Sequence, residues 1–347
     1  MSVYGKCRTV GRRTAPLLVV SLVLAGCRVT RDQREVDAWQ VYGNDNTLLT
    51  DWTGGDGAHS VALGDGRVVW MFGDSFLGRI EPGSPPSRAA TEPNVANTFV
   101  VRRGTAFLQT LRLPLRPPAG SSFNLWPRQG LVQDGRLKLF AGRTSGGAGA
   151  FLATFSLDTL QQVDVQPTPT SDSTRGISWG LNLYEGSDYL YIYGTRLNYT
   201  DAHTYVARAP PASLLGPWQY RTAAGGWSPN ESDAGPIAYA ADGDVVKTGP
   251  SEYVLVGKKG NGGVFSPSIV GFRAAAPYGP FPGDGAEIYR TPENDGSGTT
   301  ITYATHFHPH DITSQGMLFS YCVCSGAGCR AGGDASAYRP RFLRLLP

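Results

Sequence analysis

The amino-acid sequence predicts an all-β fold, and three observations carry that prediction. Beyond Cys27 no stretch sustains a helical period. Short runs of strand-forming residues recur instead between glycine-rich turns, among them Arg67–Phe72, Thr98–Arg102, Leu137–Ala141, Leu190–Tyr193, Tyr253–Val256 and Met317–Val323. These runs gather into five units, from about Trp52 to Leu113, Phe123 to Val165, Gly176 to Tyr220, Ser232 to Tyr289 and Thr300 to Arg344. Units of roughly 45 to 60 residues fit blades of four antiparallel strands. The expectation is a five-bladed β-propeller, with a large β-sandwich as its rival. Composition agrees: 45 Gly, 25 Pro and only 17% charged residues suit short strands and tight turns. Pro-Pro pairs at 85–86, 117–118 and 210–211 read as loops rather than linkers, so residues 44–347 are expected to form one domain, acting as a monomer.

The N-terminus reads as an export signal. Residues 1–26 carry Lys6, Arg8, Arg12 and Arg13, an apolar run from Ala15 to Ala25, and then Leu24-Ala25-Gly26-Cys27. That ending resembles the lipobox of bacterial lipoproteins, in which the cysteine becomes lipidated. The apolar run is too short to remain as a membrane-spanning helix. The expectation is a protein tethered outside the cytoplasm through Cys27, with 27–43 as lipidated N-terminus and polar stalk. Those four basic residues account for +4 of charge, so the net +3 of the whole chain leaves −1 for the remainder. No basic stripe argues for nucleic acid. Export permits disulfides. Cys322 and Cys324, two apart on a strand, do not easily bond to each other, whereas Cys324 with Cys329 would staple a small glycine-rich loop and leave Cys322 free. Three sulfurs without matching spacing do not suggest zinc, and no cofactor is expected.

The most informative stretch is Trp52 to Leu77. Ala58–Leu63 and Arg67–Phe72 flank Gly64-Asp65-Gly66, a three-residue hairpin loop. Facing residues then have numbers that sum to 130, which sets Asp56 opposite Asp74 on the same face. Gly55, Gly57 and Gly73 strip side-chain bulk from around both. Two facing carboxylates are costly unless they share a proton, a cation or a task. Glycoside cleavage is such a task, because one carboxyl group protonates the leaving oxygen while the other attacks or activates water. Asp74, among Trp70, Met71, Phe72 and Phe76, is the expected acid, and Asp56, among glycines, the expected ionised partner. A direct cross-strand pair leans toward the shorter carboxyl separation of retaining enzymes. The plainer alternative is a pair that satisfies turn amides or holds calcium.

The same residues carry a resemblance. WTGGDGAHSVALGDGRVVWMFGDSFLG, Asn97-Thr98, Phe123-Asn124-Leu125-Trp126-Pro127, Ile177-Ser178-Trp179-Gly180, Tyr191-Ile192-Tyr193-Gly194, Tyr278-Gly279-Pro280-Phe281 and Thr302-Tyr303-Ala304 resemble the five-bladed propeller glycoside hydrolases of the bacterial endo-D-arabinanase type (glycoside hydrolase family 183). The resemblance runs from about Asn44 to Val323. It implies an axial funnel, a furanoside substrate in an arabinan-type polysaccharide, and a catalytic pair at Asp56 and Asp74. One departure stands out: Trp126-Pro127-Arg128-Gln129-Gly130 replaces an expected Trp-Pro-Gly-Asp-Gly, so a carboxylate of the second unit is missing.

Further substrate contacts are expected from Asn97, Trp126, Trp179, His306 and His308. Asn97 either orients an aspartate or caps a strand. Trp126 and Trp179 either stack on sugar faces or pack in the core. His306, His308 and His310 alternate onto one strand face, as a polar rim that hydrogen-bonds sugar or, less simply, as metal ligands. Glu231 and Asp233 read as a solvated loop. No Ser-His-Asp spacing supports a serine hydrolase.

Overall fold

The computed structural model describes residues 28–45, 52–89, 94–198, 201–263, 266–329 and 333–346. Cys27, and with it the expected lipidation, lies outside the described residues. Five larger antiparallel sheets account for most of the chain. Sheet I holds His59–Ala62, Arg67–Phe72, Thr98–Arg103 and Ala106–Arg112. Sheet II holds Leu125–Gln133, Arg136–Arg143, Ala150–Ser156 and Gln162–Pro167. Sheet III runs from Ile177–Glu185 through Leu190–Asn198, Asp201–Ala209 and Gln219–Arg221 to Trp227–Ser228. Sheet IV holds Ala240–Gly249, Glu252–Lys259, Ser268–Ala274 and Ala286–Arg290. In sheet V, Thr300–Thr313, Gly316–Ser325 and Arg341–Leu346 are completed by the N-terminal strand Arg28–Arg31. The five units expected from sequence coincide with these sheets.

The sheets follow one another in a cycle. The first strand of each packs against the first strand of the next, and that of sheet V returns to that of sheet I. An apolar cluster fills the space between each neighbouring pair. Val61, Phe99, Leu139 and Phe155 lie between I and II, and Phe140, Trp179 and Trp218 between II and III. Tyr193, Val206, Leu255 and Phe272 lie between III and IV, and Val254, Ile269, Phe319 and Leu343 between IV and V. Burial of the inner strands on both faces explains why Arg67–Phe72, Arg136–Arg143 and Glu252–Lys259 carry near-continuous apolar runs, whereas the outer strands Ala106–Arg112 and Gln162–Pro167 are largely exposed.

Between V and I an α-helix, α1 (Gln33–Asn44), takes the filling role. The expected stalk is therefore wrong: its first residues form the outer strand of sheet V, and the next twelve form α1. The signals were short. Asp32 caps the helix by accepting from the Glu35 N–H at 3.1 Å, in the Asp-x-x-Glu spacing of a capping box. Val36, Trp39 and Tyr42 recur every three residues as the buried face. Trp39 is fully buried, with ring centroids of Trp52, Trp70, Phe72 and Phe107 5.0–5.3 Å away.

Candidate active site

The hairpin closes as its residue numbers require. His59 pairs with Met71 and Ala62 with Val68 below the aspartates, and Gly55 with Ser75 above them, every pair summing to 130. Asp56 and Asp74 face each other where the regular ladder is interrupted. The Asp56 N–H donates to the Asp74 carbonyl at 3.3 Å, and the Gly73 N–H to the Asp56 carbonyl at 2.8 Å. Gly73 leaves room for the Asp56 carboxylate, since a Cβ there would stand 2.6 Å from Asp56 Oδ1 and push it aside.

Each carboxylate has its own donors. Asp56 Oδ2 accepts from the Tyr303 and Tyr338 hydroxyls, both at 2.9 Å. Asp74 Oδ1 accepts from Trp126 Nε1 at 2.8 Å, and Trp126 is 37% exposed. Tyr338 ends a short 3-10 turn, Ala335–Tyr338, that two fully buried arginines tie to the hairpin. Arg88 Nη2 donates to the carbonyls of Thr53 at 3.2 Å and Ala335 at 2.8 Å. Arg339 Nε donates to the same Thr53 carbonyl at 2.7 Å, and its Nη2 to Gly43 at the end of α1 at 2.6 Å.

Electrostatics reverse one expectation. Removal from water, helped by the neighbouring Asp74 charge, pushes the Asp56 carboxyl up to about 6, against the opposing pull of the two hydroxyls. Asp74 is raised too, by partial desolvation, and Trp126 draws it back. Asp56, not Asp74, is thus the carboxyl whose rise is large, reaching about 6, so it takes up a proton in mildly acid solution. The glycines around it admit backbone and two tyrosine rings rather than water. Both tyrosines stay protonated, because burial and Asp56 push their hydroxyls up.

Four of the expected substrate contacts lie elsewhere. Asn97 is fully buried and serves backbone alone: Nδ2 donates to the Leu115 and Leu125 carbonyls, and Oδ1 accepts from the Leu115 N–H. Trp179 is 0% exposed, in the core between sheets II and III, with Nε1 bonded to Glu231 at 2.8 Å. His306 and His308 line no rim. Both are buried: the His306 ring lies 3.8 Å from that of His59, and His308 Nδ1 lies 2.7 Å from Ser60 Oγ with the Trp70 ring 4.5 Å away. Burial pushes His308 well below the usual imidazole range, which leaves it neutral. Which residues would cover these side chains was not a local property. Gln129, where a carboxylate was missing, is buried and donates through Nε2 to the Ser60 carbonyl at 3.3 Å, while Arg128 beside it is buried and donates to the Trp179 carbonyl, its guanidinium lying in space that a side chain at Gly142 would occupy. Cys324 and Cys329 form a disulfide and Cys322 is a buried free thiol, as expected.

The DUF5005 family profile, a domain of unknown function, matches residues 40–347. The chain belongs to that family. Among solved structures it is similar to a protein from Bacteroides ovatus ATCC 8483 provisionally called a hydrolase, at 21% identity and a TM-score of 0.74 over 92% of this chain and 90% of that one. It also shares its fold with a GH62 α-L-arabinofuranosidase catalytic domain from Coprinopsis cinerea, at 12% identity and a TM-score of 0.51 over 86% of this chain and 94% of that one. An α-L-arabinofuranosidase from Podospora anserina gives 12% identity and 0.50 over 86% and 95%. No curated protein sequence matches the chain.

Proposed function

We propose that the protein is a glycoside hydrolase that cleaves furanosidic linkages of an arabinan-type polysaccharide, close in kind to the endo-D-arabinanases. The carrying observation is the facing Asp56–Asp74 pair, one member held near pH 6 and the other bonded to a half-exposed tryptophan. Two carboxyl groups pushed apart in proton affinity are what acid-assisted glycoside cleavage needs. Since Oδ2 of Asp56 already accepts two hydroxyls, its proton sits on Oδ1 and is given from there to the leaving glycosidic oxygen. Asp74, ionised, attacks the anomeric carbon or activates water. Direct cross-strand placement favours attack, hence retention. Trp126 offers a sugar face beside the pair. The cyclic order of sheets I–V supports a five-bladed propeller, and the arabinofuranosidases that share the fold support the substrate class.

The reading extends to place. A lipid on Cys27 would join directly to the strand Arg28–Arg31, with no stalk. Arg28 pairs with Leu346, at the end of sheet V opposite Tyr303, so an anchor there turns the aspartates away from the membrane. Cys27→Ser should release the protein from the membrane fraction with activity intact; continued membrane association refutes this tether.

The deciding experiment is release of oligosaccharides from arabinan by purified protein, compared with Asp56→Asn and Asp74→Asn. Each variant should lose at least about a thousandfold in kcat while keeping its circular dichroism. Near-normal turnover by either variant removes that residue from the chemistry. Binding of arabinan without product from the native protein would make it a glycan-binding propeller instead.

A further inference from the structure

We infer that the buried Lys258 and the half-buried Asp242, both of sheet IV, position the Tyr303 hydroxyl on Asp56 by holding the residues on either side of Tyr303. The inference rests on the proposed role of Asp56. Tyr303 stands at an irregularity of its strand, where the pairing with the next strand slips between Tyr303 and His306. The following residue, Ala304, has a φ of 52°, a left-handed conformation that is strained for a side chain and persists only where its surroundings impose it.

Sheet IV supplies those surroundings. The Ala304 N–H donates to Asp242 Oδ2 at 3.0 Å. On the other flank, Thr302 Oγ1 accepts from Lys258 Nζ at 2.8 Å and meets Thr291 Oγ1 at 3.0 Å and Asn294 Nδ2 at 3.3 Å. Lys258 Nζ also donates to the Ser266 carbonyl. Asp242 is itself left-handed, with a φ of 50°, its N–H fixed by Thr195 Oγ1 at 2.9 Å. Tyr303 is therefore clamped at both neighbours, with its hydroxyl on Asp56 Oδ2 at 2.9 Å.

Lys258 and Thr302 are both 0% exposed. An amine so placed is a poor device for stability, because apolar residues of similar volume often serve a core as well or better. It is a good device for geometry, since it offers three donors in fixed directions. Burial pulls its pKa down to about 7 and Asp242 opposes that shift. The charges felt at the site are few: Asp56 faces Asp74, Tyr303, Tyr338 and the Cys322 thiol, and Asp242 faces His306 and Lys258.

The test follows the Asp56 carboxyl directly, by carbon-13 NMR of aspartate-labelled full-length protein, alongside arabinan kinetics. Tyr303→Phe removes one donor to the carboxylate and should move the Asp56 midpoint upward by roughly half to one pH unit. Lys258→Met and Thr302→Val should move it the same way, and Thr302→Ser, which keeps the acceptor, should not. In kinetics Lys258→Met should lower kcat by about tenfold to a hundredfold with KM nearly unchanged. Adding Tyr303→Phe to Lys258→Met should bring no further shift. Thr302→Val serves if Lys258→Met does not fold. An unmoved Asp56 midpoint in both variants, with Tyr303→Phe shifted, overturns the positioning role. Absence of arabinan cleavage by the native protein would instead sink the functional reading, and the NMR midpoints would still decide the clamp.

Discussion

Asp56 shows that proton affinity is set by packing rather than by neighbours in sequence. Its carboxyl lies above its unfolded value, so the folded protein binds more protons than the unfolded chain between about pH 4 and 6. Stability that is fully present below the unfolded value is lost as pH rises through about 6. Asp56→Asn, a neutral isostere, should therefore raise Tm above pH 6, by on the order of a few degrees, and leave it nearly unchanged at pH 4. Calorimetry at the two pH values checks this, and an equal rise at both would mean that ionisation of Asp56 is not what strains the site. The loss of activity with a gain in stability is the trade expected of a functional group. Trp126→Phe keeps an aromatic face but removes the donor to Asp74. It should raise the lower of the two midpoints in a pH–rate profile; an unmoved profile would make that hydrogen bond incidental.

At the scale of elements, the hairpin was legible and α1 was not. A three-residue loop sets register locally, so the sum of 130 held from Ala62–Val68 through Gly55–Ser75. The helix has twelve residues and three buried apolar positions, too few for a period to stand out. What makes it a helix in place is tertiary: Trp39 meets rings from sheet I and the Phe107 strand, and Arg102 and Arg339 bond to its side chains and end. Trp39→Ala should cost about 3–5 kcal/mol, read from urea unfolding of the whole domain. A loss below about 1 kcal/mol would mean that α1 is an appendage.

Across the whole molecule, the first and last strands meet in sheet V, Arg28 beside Leu346 and Arg31 beside Leu343. A chain beginning at Arg28 should unfold like the longer one. A chain beginning at Asp45 lacks the closing strand, α1 and the partners of Arg339, which also braces the Thr53 carbonyl of the hairpin. It should aggregate or melt at lower temperature and lose activity even where soluble. Normal melting of that shorter chain would restore the stalk.

Strand periodicity, turn chemistry and spacing are local properties, and from them alone the sequence determined the five units, the register of the first hairpin and the facing aspartates; the Cys324–Cys329 staple was one open option that the structure settles. Tertiary structure decided which side chains meet. Tyr303 and Tyr338 lie 247 and 282 positions from Asp56, and only closure of sheet V against sheet I brings their hydroxyls to its carboxylate. Asn97, Trp179, His306 and His308 have residue types that suit a binding site, but neighbouring sheets cover them. Proton affinity followed the same rule. Desolvation depends on what packs around a group rather than on its neighbours in sequence, so the apolar residues beside Asp74 did not mark the larger rise in proton affinity, which the packing around Asp56 produces.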